Sequence, residues 1–206
     1  MSKREHKVVQ SLYSTILDLR FDNSCQDYSP NNITPSITGT VEYQDGCYVG
    51  KSNTYVRYDL YGHYVSLSDF KLSLRFKITN LTGTSILFSS TPSNATNGFA
   101  QTSMSVENGT LNFAVREANG TSNPNTIYNC GLNVSANTWY DVVLERINGV
   151  VYCKVNDSST AAFTANKSVF NQYSRYFTVG NFAIYNPSGN YVKGLIDNIK
   201  LEIGGL

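Results

Sequence analysis

Between Phe70 and Ile78 apolar and polar side chains alternate without a break. Phe70, Leu72, Leu74, Phe76 and Ile78 stand against Lys71, Ser73, Arg75 and Lys77. Such alternation marks a half-buried strand, because successive side chains point to opposite faces. The same period returns in Thr138–Asp157, where runs rich in β-branched residues flank Asn148-Gly149. Asn-Gly suits a two-residue turn whose central residues both need positive φ, so the segment predicts a hairpin. The turn sets the register: Ile147 faces Val150, Leu144 faces Cys153, and Val142 faces Val155. Val142, Leu144, Val151, Cys153 and Val155 then share an apolar face, and Asp141, Val143, Glu145, Tyr152 and Lys154 share a mixed one. A hairpin with one apolar face needs a second layer to cover it.

The rest of the chain supplies that layer. Asn108-Gly109 predicts a second hairpin, with Leu111, Phe113 and Val115 on its apolar side. Leu17, Leu19 and Phe21 alternate with Asp18, Arg20 and Asp22 in a first strand. Residues 23–36 read as a loop. Short strands are expected at Thr40–Tyr43, Cys47–Val49, Tyr55–Tyr58 and Ser85–Ser89. Tyr128–Val134 reads as a strand with Gly131 placed for a bulge. Ala161–Tyr173 is the least regular stretch and is expected to hold a short helical turn. Phe177–Tyr185 and Tyr191–Ile203 close the chain. No helical period runs far enough for a long helix, and many short strands between turns predict an all-β antiparallel sandwich. Its core should take in Val142, Leu144, Cys153, Val155, Leu72, Leu74, Phe76, Leu111, Phe113 and Ile199.

A chain of 206 residues suits a single sandwich of this kind. Its formal net charge of +1 gives no field that would draw nucleic acid or acidic lipid. No apolar run reaches the roughly 20 residues of a membrane span. The first residues, MSKREHKVVQSLYST, are basic but lack an apolar signal-peptide core, so folding in a cytoplasm is expected. In that compartment Cys25, Cys47, Cys130 and Cys153 should be reduced, although a Cys25–Cys47 bridge stays open. The N-x-S/T triplets at Asn94, Asn108 and Asn133 then read as by-products of composition. The sandwich is expected to span residues 16–206. Residues 1–15 form an N-terminal arm that is expected to anchor a partner through Val8, Val9, Leu12 and Tyr13; the competing reading folds it back on its own sandwich as a short helix or an added strand.

QDYSPNNITPSITGTVEYQDGCYVGKSNTYVRY (Gln26–Tyr58), the Phe70–Ile78 strand, TWYDVVLERINGVVYCKV and GLIDNIKLEI (Gly194–Ile203) occur in a familiar order. Together they resemble the laminin-G-like, concanavalin-A-like jelly rolls over about residues 17–203. The resemblance implies two antiparallel sheets in a jelly-roll connection, one of them often concave, with the first and last strands adjacent. Such modules occur in lectins, glycan-binding modules, matrix proteins and bacteriophage virions. Without a signal peptide, the Asn- and Tyr-rich sandwich points by analogy to the phage setting.

Enzymes of this fold that cleave polysaccharides carry a Glu-x-Asp-x-x-Glu strand, which this chain lacks. Asp141 and Glu145 share a face, but strand rise alone sets them about 13 Å apart, too far for a retaining glycosidase. Lys154, diagonally between them, is expected to pair with one or both. His6 and His63 are too few for a His-based triad or zinc site. Asp197 shares parity with Leu195, Ile199, Leu201 and Ile203 and should lean toward the apolar side. Two readings stand: a clamp on backbone N–H groups, or a structural calcium with Asp22 or Asp27, as related jelly rolls hold near their termini.

The function expected from these residues is non-enzymatic: a structural, decoration or fibre protein of a bacteriophage virion, assembled in the host cytoplasm. Its partners would be other virion proteins, copies of itself and polysaccharide, with no nucleic acid and no membrane. Weak glycan binding for attachment would use Glu145, Tyr152 and Lys154, an aromatic beside polar groups. The competing readings are a polysaccharide hydrolase and a stand-alone carbohydrate-binding module.

Overall fold

A computed structural model describes residues 13–63, 69–91, 102–115, 126–164, 175–181 and 190–204. Among these residues the chain forms strands and no helix. In chain order they are β1 (Tyr13–Leu19), β2 (Ser36–Thr38), β3 (Glu42–Gln44), β4 (Cys47–Val49) and β5 (Tyr55–Asp59). There follow β6 (Phe70–Ile78), β7 (Thr84–Thr91), β8 (Thr102–Glu107), β9 (Thr110–Val115) and β10 (Thr126–Asn133). The last are β11 (Trp139–Ile147), β12 (Val150–Val155), β13 (Ser158–Thr164), β14 (Tyr176–Val179) and β15 (Gly194–Gly204). The first sheet runs β13-β12-β11-β6-β15-β4-β3, with β1 also on β15; the second runs β10-β9-β8-β7-β14-β5-β2. Every pairing between them is antiparallel.

The hairpin register is the one the turn dictates. Ile147 lies opposite Val150, Leu144 opposite Cys153 and Val142 opposite Val155. Asn148 and Gly149 have φ of 50° and 81°, as a primed turn requires. Asn108 and Gly109 repeat the arrangement, with φ of 48° and 83°. All ten residues expected in the core are at most 5% exposed. They join Phe88, Met104 and Phe177 of the second sheet in one cluster, so the two sheets share one core. Phe163 of the first sheet stacks on Tyr128 of the second at 4.1 Å between ring centroids, which ties the layers together. β1 runs beside β15, placing the first and last described strands next to each other.

Several expectations need correction. β1 begins at Tyr13, so Tyr13–Thr15 belong to the sandwich rather than to an arm; Tyr13 pairs with Gly204. Val8, Val9 and Leu12 lie outside the described residues. Part of the expected 23–36 loop continues into β2, which adds to β5. Ala161–Thr164 extend β13 instead of turning helically. Asn156 and Asp157, with φ of 47° and 65°, make a further primed turn that carries β12 back into β13. Low strand propensity at Ala161-Ala162 hid this from pattern alone. Residues 165–174 lie outside the described set. The predicted bulge at Gly131 is present: the β10–β9 register shifts between Asn129 and Asn133. Cys25 and Cys47 are both free thiols. Cys25 Sγ lies 2.8 Å from the Tyr43 hydroxyl, while Cys47 Sγ faces Asp197 at 3.9 Å.

Candidate functional site

The first sheet buries one face and turns the other outward. On that outer face antiparallel register sets Trp139 of β11 beside Lys77 of β6, Lys77 beside Leu195 of β15, and Leu195 beside Val49 of β4. Directly opposed residues share a face, so four strands contribute one transverse row. Leu195 reaches that face through a bulge. Ile196 and Ile199 have opposite parity, yet both enter the core. The register shift between Ile196 and Asn198 makes this compatible by inserting Asp197 as the extra residue.

Trp139, the single tryptophan of the chain, anchors the row. The Arg75 guanidinium lies 5.0 Å and the Lys77 ammonium 4.9 Å from its ring centroid. Cation–π contacts of this kind contribute about 0.5–1 kcal/mol each at exposed sites. Lys77, Leu195 and Val49 also line a cleft of about 410 Å³, completed by Gln44, Gly50, Thr79, Asn80, Asn137, Tyr191, Lys193 and Gly194. The volume is within the range of small-molecule sites.

Backbone hydrogen bonds fix the walls of this cleft. The Lys193 carbonyl accepts from Thr79 N at 2.8 Å and from Asn80 N at 3.4 Å. Asn137 N donates to the Ile78 carbonyl at 2.7 Å, and Gly50 N to the Gly194 carbonyl at 3.0 Å. Asn137 takes φ of 61°, a conformation asparagine tolerates better than most residues. Gly50 and Gly194 are required by close approach rather than by φ. A Cβ on Gly50 would fall 1.8 Å from the Val192 carbonyl oxygen, and one on Gly194 2.0 Å from that of Lys77. A second cleft, about 310 Å³, lies between the 24–35 loop and Tyr43, and no charged residue lines it.

The carboxylates singled out in the sequence are placed apart. Lys154 Nζ reaches Glu145 at 3.5 Å, whereas Asp141 lies 3.8 Å from Arg75, its direct partner on β6. Lys154 therefore pairs with one of the two acids, because register puts Arg75 beside the other. Tyr152 is 38% exposed and lies opposite Glu145. Glu145, Tyr152 and Lys154 are brought together on the outer face, but neither cleft is lined by them. Six residues of strand, about 20 Å, separate Glu145 from Trp139.

Asp197 does not lean into the core, because the bulge breaks the parity that predicted it. It is half-buried and meets Arg75 NH1 at 3.4 Å. Asp27, 1% exposed, is the backbone clamp instead. Its Oδ1 accepts from Asp18 N at 3.0 Å and Ser29 N at 2.9 Å. Its Oδ2 accepts from Ser29 Oγ at 2.8 Å and Ile33 N at 2.9 Å. Calcium takes six to eight oxygens, and Asp27 and Asp197 are already committed to other partners. Asp27 already receives four donors, Asp197 faces a guanidinium, and no three metal-ligating side chains converge among the described residues.

The residues that build the cleft escaped the sequence reading. Trp139 shares parity with Asp141 and Glu145, which could have placed it on the outer face. Asn80, Asn137 and Lys193 sit in turns that pattern reads only as breaks between strands.

Fold and cleft together define the class: an antiparallel jelly-roll sandwich with a polar, aromatic-flanked cleft on one sheet face. The chain belongs to the concanavalin A-like lectin/glucanases superfamily, whose model matches residues 50–202. Comparison with curated sequences gave no match. Among solved structures it is similar to the binding domain of botulinum neurotoxin serotype D, with a TM-score of 0.67, 16% identity, and coverage of 94% of this chain and 49% of that one. A structure of botulinum neurotoxin type C, whose cell entry depends on interaction with two ganglioside molecules, gives 0.63 at 15% identity over 93% and 46%. The chain thus spans about half the length of these toxin domains. Domain 4 of AbnA, a GH43 extracellular arabinanase from Geobacillus stearothermophilus, solved with arabinotriose, gives 0.64 at 21% identity over 94% of both chains.

Proposed function

We propose that this chain is a non-enzymatic saccharide-binding domain and that the cleft beside Trp139 receives the sugar. The observation that carries the reading is an aromatic ring next to a polar cleft lined by amide side chains and no carboxylate. Sugar rings present C–H faces that stack on aromatics, and their hydroxyls need both donors and acceptors. Gln44, Asn80 and Asn137 offer both in one side chain. Glycoside hydrolysis needs a pair of carboxyl groups about 5–9 Å apart. The lining has none: Glu42, opposite the lining residue Val49, pairs with Lys51, and Asp141 and Asp197 face Arg75. The superfamily and the solved complex of the AbnA domain with arabinotriose support the same reading. It does not depend on a virion: the similar structures named above are parts of a toxin and of an extracellular arabinanase.

The test is titration calorimetry against a panel of oligosaccharides, with reducing-sugar release followed in the same mixtures. Binding without release is expected. Trp139→Ala should weaken it by about tenfold or more, that is about 1.4 kcal/mol or more, with the protein still folded and its melting temperature lower by no more than about 8 °C, the share of the two cation–π contacts. Sustained release of reducing ends would replace this reading with a hydrolase.

A further inference from the structure

We infer that the saccharide this cleft selects is acidic, carrying a carboxylate or a sulfate, and that Lys77 and Lys193 select it without a metal ion. The inference rests on the saccharide-binding reading above. Two cationic residues line the cleft, and no Asp or Glu does; the remaining lining is neutral. Three nearby acids face two cations that lie outside the lining. Asp141 and Asp197 face Arg75 at 3.8 and 3.4 Å, and Glu42 pairs with Lys51. Counting Lys77 and Lys193, four cations stand against three acids, so one positive charge remains at the cleft.

The two ammonium groups are positioned without being neutralised. Lys77 Nζ is held 4.9 Å from the Trp139 ring centroid, an attraction to a quadrupole that leaves its full charge. Lys193 Nζ donates to the Thr82 carbonyl, which uses one of its three N–H donors. Lysine acts on an oxyanion as a point charge, so it accepts a carboxylate or a sulfate in several orientations. A ring stacked on Trp139 would place an acidic substituent within reach of Lys77, while its hydroxyls meet the amides of Asn80 and Asn137. Because at least part of the attraction is between charges, it should weaken with salt.

The experiment uses three oligosaccharides of matched length: an oligouronate, its carboxyl-reduced neutral counterpart, and a sulfated one. Each is titrated calorimetrically at about 50 and about 300 mM salt, with and without a calcium chelator. At least one acidic ligand should bind about tenfold or more tighter than the neutral one at low salt, a gap of about 1.4 kcal/mol. The chelator should have no effect, and the gap should narrow at high salt. Lys77→Gln and Lys193→Gln should each cut the preference several-fold, while Lys77→Arg should retain it. Equal affinity for acidic and neutral ligands, both lost in Trp139→Ala, would overturn the charge selection and leave saccharide binding intact. Loss of the acidic preference on chelation would overturn the metal-free account. Binding of none of the three, nor of any panel saccharide, would sink the saccharide reading and this inference with it.

Discussion

Asp27 shows how little of a side chain's role can be read from its letter. The sequence offered it as a calcium ligand; the fold uses it to hold β1 to the loop that follows. Asp27→Ala would leave the N–H groups of Asp18, Ser29 and Ile33 without their acceptor. A buried group stripped of its partner costs about 1–3 kcal/mol, so the variant should lose about 3 kcal/mol or more in urea denaturation. Because these donors already saturate the carboxylate, a calcium chelator should leave the melting temperature of the wild type unchanged. Asp59 is a second acid set by its neighbour. Arg175 grips it with Nε at 2.9 Å and NH2 at 2.6 Å, and this hydrogen bonding holds the Asp59 carboxyl below the ordinary carboxylate value. An acid depressed in the folded state adds stability above its unfolded pKa, about 3.9, and loses it as pH falls through the folded value. Asp59→Asn should thus be less stable than wild type at neutral pH, and the two should converge as pH falls through the depressed pKa of the folded Asp59.

Strands were legible wherever turn chemistry and alternation agreed. Asn148-Gly149 named its turn, the turn fixed the register, and the register put Leu144 and Cys153 in the core. Leu144→Ala should cost about 2–5 kcal/mol, the usual range for a buried leucine. Gly149→Ala, which forces a Cβ into a left-handed turn, should cost only about 1–2 kcal/mol and leave the cleft intact. Gly194→Ala is a different case. Its Cβ would meet a β6 carbonyl, so β15 must shift from β6 and the cleft wall with it. Binding should fall in that variant even under conditions where it remains folded, whereas Gly149→Ala should bind normally. The bulge at Asp197 and the strand β13 were not legible. A bulge changes parity without changing composition, and Ala161-Ala162 carries no strong preference for a strand.

At the scale of the whole molecule, the sandwich could be read from periodicity, while its cleft could not. The outer row joins Trp139, Lys77, Leu195 and Val49, which come from four strands distant in sequence. Only the pairing order of the sheet sets them side by side, and no local pattern encodes that order. The expected Glu145, Tyr152 and Lys154 patch was legible because one hairpin contains all three. The account therefore turns on Trp139 rather than on that patch. A single tryptophan makes the test direct, since the chain has one indole N–H to observe. In a nitrogen–proton correlation spectrum titrated with the tightest oligosaccharide of the calorimetric panel, that indole resonance should shift saturably, with the same Kd as the calorimetry. An unmoved indole signal in a protein that binds the same sugar would contradict the assignment of the cleft.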